Sequence, residues 1–122
     1  MTGTGGIAFA VARALAGAGA DVIIAGRNPE EGMRAAADIR AKFPDASVRF
    51  EPLELADTDS IKAFCTRMKA ELSSINILMC IAGLMMPDKL KKTIEGIEQQ
   101  FAVNYLGHFI LAAELFQLLK HP

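Results

Sequence analysis

The residues at the start of the chain, Thr2-Gly3-Thr4-Gly5-Gly6-Ile7-Ala8, have types and spacing suited to gripping a phosphate. They fit the pattern GxGxxA, with Gly3, Gly5 and Ala8 in its fixed positions. In such a loop the first glycine permits a tight turn, and the second lets backbone approach a pyrophosphate. A small third residue lets the following helix pack close to a sheet. The helix that opens here offers free N–H groups and the positive end of its dipole to an anion. A glycine-rich turn before an alanine-rich helix is the plain alternative, and the elements that follow must decide between the two.

Other reactive side chains have no such spacing. Cys65 and Cys80 form no CxxC pair and have no histidine cluster beside them, so both are expected as buried, reduced thiols. No metal site is expected. His108 stands in an apolar stretch and reads as a packed residue, while His121 lies at the chain end. The sequence has no GKS/T loop for a nucleoside triphosphate and no acidic cluster for magnesium.

Composition narrows the class further. Of 122 residues, 52% are hydrophobic and 22% charged, which is a globular balance. The net charge of -1 gives no reason to expect a nucleic-acid partner. Lys89, Lys91 and Lys92 form too small a cluster to suggest a membrane-surface patch. No signal-peptide pattern opens the chain. The apolar run at 75–86 is short for a membrane span and contains Asn76 and Gly83, and the run at 109–119 is interrupted by Glu114 and Gln117. The expectation is a cytoplasmic protein with no membrane span in this segment.

The elements that must position the loop follow from periodicity. Ile7, Val11 and Leu15 recur every fourth residue with alanines between them, which predicts a helix closing near Gly17 and Gly19. Residues 22–25, Val-Ile-Ile-Ala, read as a short buried strand. Asn28 can cap a second helix, with Pro29 at its first position and Glu30 and Glu31 at its positive end. That helix presents Ala36, Ile39 and Phe43 and stops before Pro44. A strand at 48–53 contains Pro52, which cannot donate to a ladder, so it is expected at a sheet edge.

A third helix carries Ile61, Phe64, Cys65, Met68 and Leu72 on one face, and residues 75–81 read as a second buried strand. The last helix is expected to begin near Thr93 and to present Ile94, Ile97, Phe101 and Leu115. Strands alternating with helices imply an α/β fold, a parallel sheet with helices on both faces.

Several segments, in this order, resemble the short-chain dehydrogenase/reductase family, particularly its retinol-dehydrogenase-like members. They are the loop at 2–8, Ala25-Gly26-Arg27-Asn28, Leu53-Glu54-Leu55-Ala56, Ala82-Gly83, and the run at 101–109, Phe-Ala-Val-Asn-Tyr-Leu-Gly-His-Phe. The last is the most specific, because the family's fourth long helix commonly contains VN-x-x-G-x-F. The resemblance covers the whole chain. It implies a Rossmann-type doubly wound sheet whose first strands are ordered 3-2-1-4, with NAD(P) lying across the carboxyl ends of the strands.

Matched position by position, the resemblance assigns Thr2, Gly3, Gly5, Gly6 and Ile7 to the pyrophosphate loop. Arg27 and Asn28 fall at the end of strand 2, which reads the adenosine ribose. An acid there would favour NAD, whereas arginine favours the 2′-phosphate of NADP. The expected cofactor is therefore NADP, with NAD as the alternative. Glu54 and Leu55 match the pair that borders the adenine, and Ala82 and Gly83 run beside the nicotinamide ribose. Asn104 matches a helix asparagine that helps hold a water in the family's proton relay, and it is the expected catalytic contribution. The implied substrate is a small-molecule carbonyl or alcohol. The last helix, apolar almost all round after Gly107, implies a dimer interface.

The sequence also departs from the family. Its loop is one residue shorter than T-G-x-x-x-G-x-G and ends in Ala8, and Cys80 and Ile81 replace two common asparagines. Thr2 should follow a first strand, so strands 2 and 4 are expected to face a gap of roughly 10 Å. Unpaired backbone there would cost about 1–3 kcal/mol per group, and a weakly stable chain is expected. The family's Tyr-x-x-x-Lys pair is missing: the only tyrosine is Tyr105, followed four residues later by Phe109. The expectation is thus a partial NAD(P)-binding Rossmann domain over 1–122, part of an oxidoreductase. The alternative is a non-catalytic, truncated relative that binds nucleotide or pairs with a full-length partner.

Overall fold

The structure, a computed structural model, describes residues 1–85 and 87–119. Met86 and His121 lie outside the described residues. The chain forms two compact units, one of Met1–Pro52 with Met79–Ala82 and the other of Leu53–Leu78 with Gly83–Pro122.

In the first unit, helix α1 (Gly6–Gly17) leads to strand β1 (Val22–Gly26), helix α2 (Pro29–Lys42) and strand β2 (Val48–Pro52). β1 and β2 pair in parallel, from Val22 opposite Val48 to Gly26 opposite Pro52. Among the described residues β2 pairs with β1 alone, as its proline suggests. α2 starts where expected, with Asn28 Oδ1 accepting from Glu31 N at 3.3 Å. Its inward face of Ala35, Ala36 and Ile39 packs with Ala12, Ala16, Val22, Ile24 and Val48 into one core. Phe50 lies where any side chain on Gly32 would stand, so the absent Cβ makes room for the ring.

The buried face of α1 differs from the one the large residues suggest. Ala8, Ala12 and Ala16 are buried, whereas Ile7 is 76% exposed. Alanine lets this helix approach the sheet closely, while Val11 and Leu15 are half-buried and Leu15 packs at the edge of the core.

Residues 1–3 fill one end of the expected gap. Thr2 forms parallel bridges with Ala25 on one side and Cys80 on the other. Met1 N donates to Ile23 O at 2.8 Å, Ala25 N to Met1 O at 2.8 Å, Gly3 N to Ala25 O at 2.8 Å and Thr2 N to Met79 O at 2.9 Å. These residues act as the carboxyl end of a central strand, and β1 has its partner there.

The strand expected at 75–81 does not form as a ladder. Cys80 and Ile75 make isolated bridges, to Thr2 and Leu119, and Ile77 and Cys80 are exposed. The expected burial of Cys80 is not met, whereas Cys65 is buried as expected.

The second unit packs helix α3 (Thr58–Glu71) against the last helix, α4 (Gln99–Leu118). Asp57 caps α3 by accepting from Asp59 N at 2.9 Å and Ser60 N at 3.3 Å. Ile61, Phe64, Cys65 and Met68 of α3 are buried, as are Leu111 and Leu115 of α4, and Lys69 Nζ meets Glu114 Oε2 at 2.7 Å. α4 begins at Gln99 rather than near Thr93. Residues 93–97 form a turn instead, with Gly96 at φ 81° and Thr93 N donating to Ile97 O at 2.7 Å. Glu98 then caps the helix, accepting from Gln100 N at 2.9 Å and Phe101 N at 2.8 Å. Ile94 is consequently exposed rather than on a helix face.

Candidate functional site

The sequence-predicted site residues fall into one group in each unit. In the first, Gly3 has φ 104°, and a Cβ built on it would stand 2.8 Å from Ala8 Cβ. Glycine is required twice there, by backbone conformation and by the approach of α1. Gly5 precedes α1 in extended conformation, and Gly6 opens the helix at φ 55° with nothing within 4 Å of an added Cβ. The first turn of α1 has no side-chain cap and no acid. Space, free donors and a positive dipole end thus coincide at residues 5–7, and this fits the diphosphate of a dinucleotide. Ile7 is exposed beside them.

Thr2 has a different place. It is 1% exposed, and its Oγ1 accepts from Ile81 N and Ala82 N, each at 3.0 Å. The hydroxyl fixes the segment after Cys80 against the loop, and Ala82 N lies 3.6 Å from a Cβ built on Gly3. Thr2, Gly3 and Ala82 therefore come together. Arg27 and Asn28 follow β1 directly and are exposed, Asn28 with its carbonyl oxygen committed to the α2 cap.

In the second unit, Glu54 and Leu55 end the segment after β2. Glu54 Oε1 accepts from Ala56 N at 3.0 Å, and its own N donates to Ser60 Oγ at 2.9 Å, so the side chain shapes the turn into α3. Leu55 is buried. Gly83 lies beside Asn104, whose Oδ1 would be 3.2 Å from a Cβ there. Asn104 itself is exposed rather than enclosed by its apolar neighbours. Its amide holds Leu84 at both ends: Oδ1 accepts from Leu84 N at 2.7 Å, and Nδ2 donates to Leu84 O at 2.8 Å.

Asn104 sits within a π-helical turn, Ala102–Leu106, a local widening of α4 of the kind that often marks functional positions. Gly107 closes it. A Cβ on Gly107 would meet Leu55 O at 2.5 Å and Ala102 O at 2.9 Å, so only glycine fits. Sequence reading did not place Gly107 or Leu84 at the site, although the glycine lies inside the VN-x-x-G-x-F pattern. His108 is buried, with Nδ1 3.5 Å from Asn104 O. Burial lowers its pKa from the usual histidine value, and the Asn104 carbonyl partly opposes this. Burial raises the pKa of the Cys65 thiol, and the Glu114 carboxylate raises it further, which leaves it a poor nucleophile.

Comparison with known proteins identifies the family and the fold. The family model for short chain dehydrogenase matches residues 1–122. Retinol dehydrogenase 12 of Mus musculus is 44% identical over 94% of this chain and 36% of its own length. Human polyprenol dehydrogenase is 36% identical over 97% of this chain and 36% of its own length. Among solved structures, an uncharacterized protein from Mycobacterium Paratuberculosis superposes with TM-score 0.83 and 33% identity, over 98% of this chain and 41% of that one. The chain thus spans about 36% of the length of these curated relatives, and the Rossmann-type α/β fold is confirmed.

The expectation of a cytoplasmic protein is overturned. The relatives are named for retinol and polyprenol. α4 is moreover long and apolar enough to cross a membrane, by length and composition alone. The apolar run at 109–119 is interrupted by Glu114 and Gln117, and the helix continues through both.

Proposed function

The chain belongs to the short-chain dehydrogenase family, and from that premise we propose that it is the cofactor-binding part of an oxidoreductase that interconverts an alcohol and a carbonyl, with NADP preferred to NAD. The observation that carries this reading is the loop at residues 3–7, where a positive-φ glycine, open space and an uncapped helix start coincide. A bound nicotinamide dinucleotide would supply the hydride acceptor or donor.

The chain's own residues bind and orient it. Backbone N–H groups at residues 5–7 hold the diphosphate, and Arg27 meets the 2′-phosphate with its guanidinium. Thr2 acts by position, fixing Ala82 so that small residues line the path of the ribose. Asn104 is a positioning residue, since its amide is spent on Leu84 and sets Gly83 and Leu84 in place. Proton exchange with substrate belongs to a Tyr-x-x-x-Lys pair that this sequence does not contain, so the 122 residues bind cofactor without turning over substrate. By analogy with the retinol and polyprenol dehydrogenases, the substrate of the whole protein is an isoprenoid alcohol or its aldehyde.

Equilibrium titration with NADPH and NADH tests the reading. NADPH should bind more tightly, and Arg27→Ser should remove most of that preference while leaving NADH nearly unaffected. Equal affinity for the two in the parent chain would refute the assignment of Arg27.

The non-catalytic reading is favoured by one feature. Phe101, Tyr105 and Phe109 form an exposed row on α4, with ring centroids 5.3 Å and 6.4 Å apart. Such a row suits pairing with a second chain. Sedimentation of the chain with and without Tyr105→Asp separates the readings, because a self-paired chain would dissociate in the variant.

A further inference from the structure

The first turn of α2 contains a carboxylate that the helix itself does not use. Asn28 caps this helix by accepting from Glu31 N at 3.3 Å. In a full capping box the side chain at the position of Glu31 returns to the backbone N–H of the cap. Among the described residues that second bond is not made, and Glu31 meets no cation, whereas its neighbour Glu30 pairs with Arg34 at 3.3 Å. The Glu31 side chain reaches across to the phosphate loop instead, with Oε1 3.6 Å from a Cβ built on Gly5. The same loop leans on the end of β1, since Thr4 Cγ2 lies 2.8 Å from a Cβ built on Gly26. Loop, strand end and helix start thus converge, with Arg27 and Glu31 both exposed beside them. One brings a positive charge to this point and the other a negative one.

We propose that Glu31 is a specificity-determining residue that works against Arg27 at the adenosine ribose, so that the chain holds NAD as well as NADP. The inference rests on the cofactor reading above. A dinucleotide with its diphosphate at residues 5–7 and its 2′-position at Arg27 carries the ribose between them, on the side of the loop where Glu31 approaches Gly5. An ionised carboxylate only accepts hydrogen bonds, and ribose hydroxyls are donors. The adenosine ribose of NAD presents two such hydroxyls. That of NADP presents one, together with a 2′-phosphate that the carboxylate repels across partly screening solvent. Arg27 does the reverse, because a guanidinium gains most from the phosphate. The preference for NADP is therefore the difference between two opposed side chains, and Glu31 keeps it small. In sequence Glu31 reads only as an acid at the positive end of a helix, and its approach to Gly5 is what the fold adds.

Titration with NADPH and NADH, followed by nicotinamide fluorescence, compares the parent chain with Glu31→Gln. Glutamine keeps the shape of the side chain and the backbone N–H that Asn28 caps, so circular dichroism should be unchanged. NADPH should bind the variant roughly fivefold more tightly, as expected when a like charge near the 2′-phosphate is removed under partial screening. NADH should bind about threefold more weakly, because a charge-assisted hydrogen bond becomes a neutral one. The gain for NADPH should shrink when salt is raised to about 0.5 M. Glu30→Gln, one residue earlier and paired with Arg34, should change neither affinity by more than about twofold. The proposal is overturned if Glu31→Gln shifts both nucleotides by the same factor, since the carboxylate would then act on the shared diphosphate alone. It is overturned equally if neither affinity moves. Those outcomes leave the cofactor reading standing, whereas a folded parent chain that binds neither nucleotide removes both readings at once.

Discussion

Gly3 has two independent reasons to be glycine, a φ of 104° and an α1 alanine 2.8 Å from the position of any Cβ. Gly3→Ala should therefore destabilise the chain by about 1–3 kcal/mol in urea unfolding and abolish dinucleotide binding in the fraction that folds. His108 gives a second prediction at this scale. Its folded pKa lies below the unfolded value near 6.5, so protonation favours unfolding. Stability held by the neutral ring is intact above pH 6.5 and lost as pH falls through the lower folded value. Urea midpoints measured down the acid range should fall, and His108→Gln should flatten that fall. Gly3 was legible because conformation and type coincide in one motif. The bonds of Asn104 were not, because its partner is the backbone of Leu84, a residue without a polar side chain to announce it.

Among the elements, those specified by local chemistry were readable and those specified by pairing were not. α2 has a capping asparagine, a first-turn proline and two acids, and it starts where they place it. Residues 75–81 look like a buried strand, yet burial of a strand depends on neighbours, and among the described residues they make isolated bridges, to Thr2 and Leu119. The beginning of α4 was misplaced because Thr93 also resembles a cap. Gly96 at positive φ closes a turn first, and Glu98 performs the capping. Glu98→Ala should cost about 0.5–2 kcal/mol, read as loss of helix by circular dichroism. Gly107→Ala should cost more than an ordinary helix substitution, because the methyl meets the carbonyl oxygens of Leu55 and Ala102. An unchanged denaturation midpoint in Gly107→Ala would contradict that packing.

At the level of the whole molecule, α/β alternation was readable because helix and strand periods differ clearly in these segments. The parallel pairing of β1 and β2 followed from it, and the edge position of β2 from the missing donor of Pro52. What the periodicity could not reveal is the central role of residues 1–3, too few to show any period. The central claim concerns phosphates, and phosphorus NMR of NADPH observes them directly. On adding the folded chain, the diphosphate and 2′-phosphate resonances should both shift or broaden, and Arg27→Ser should restore the 2′-phosphate signal alone. Unperturbed resonances in the presence of a chain that circular dichroism shows to be folded would contradict the account.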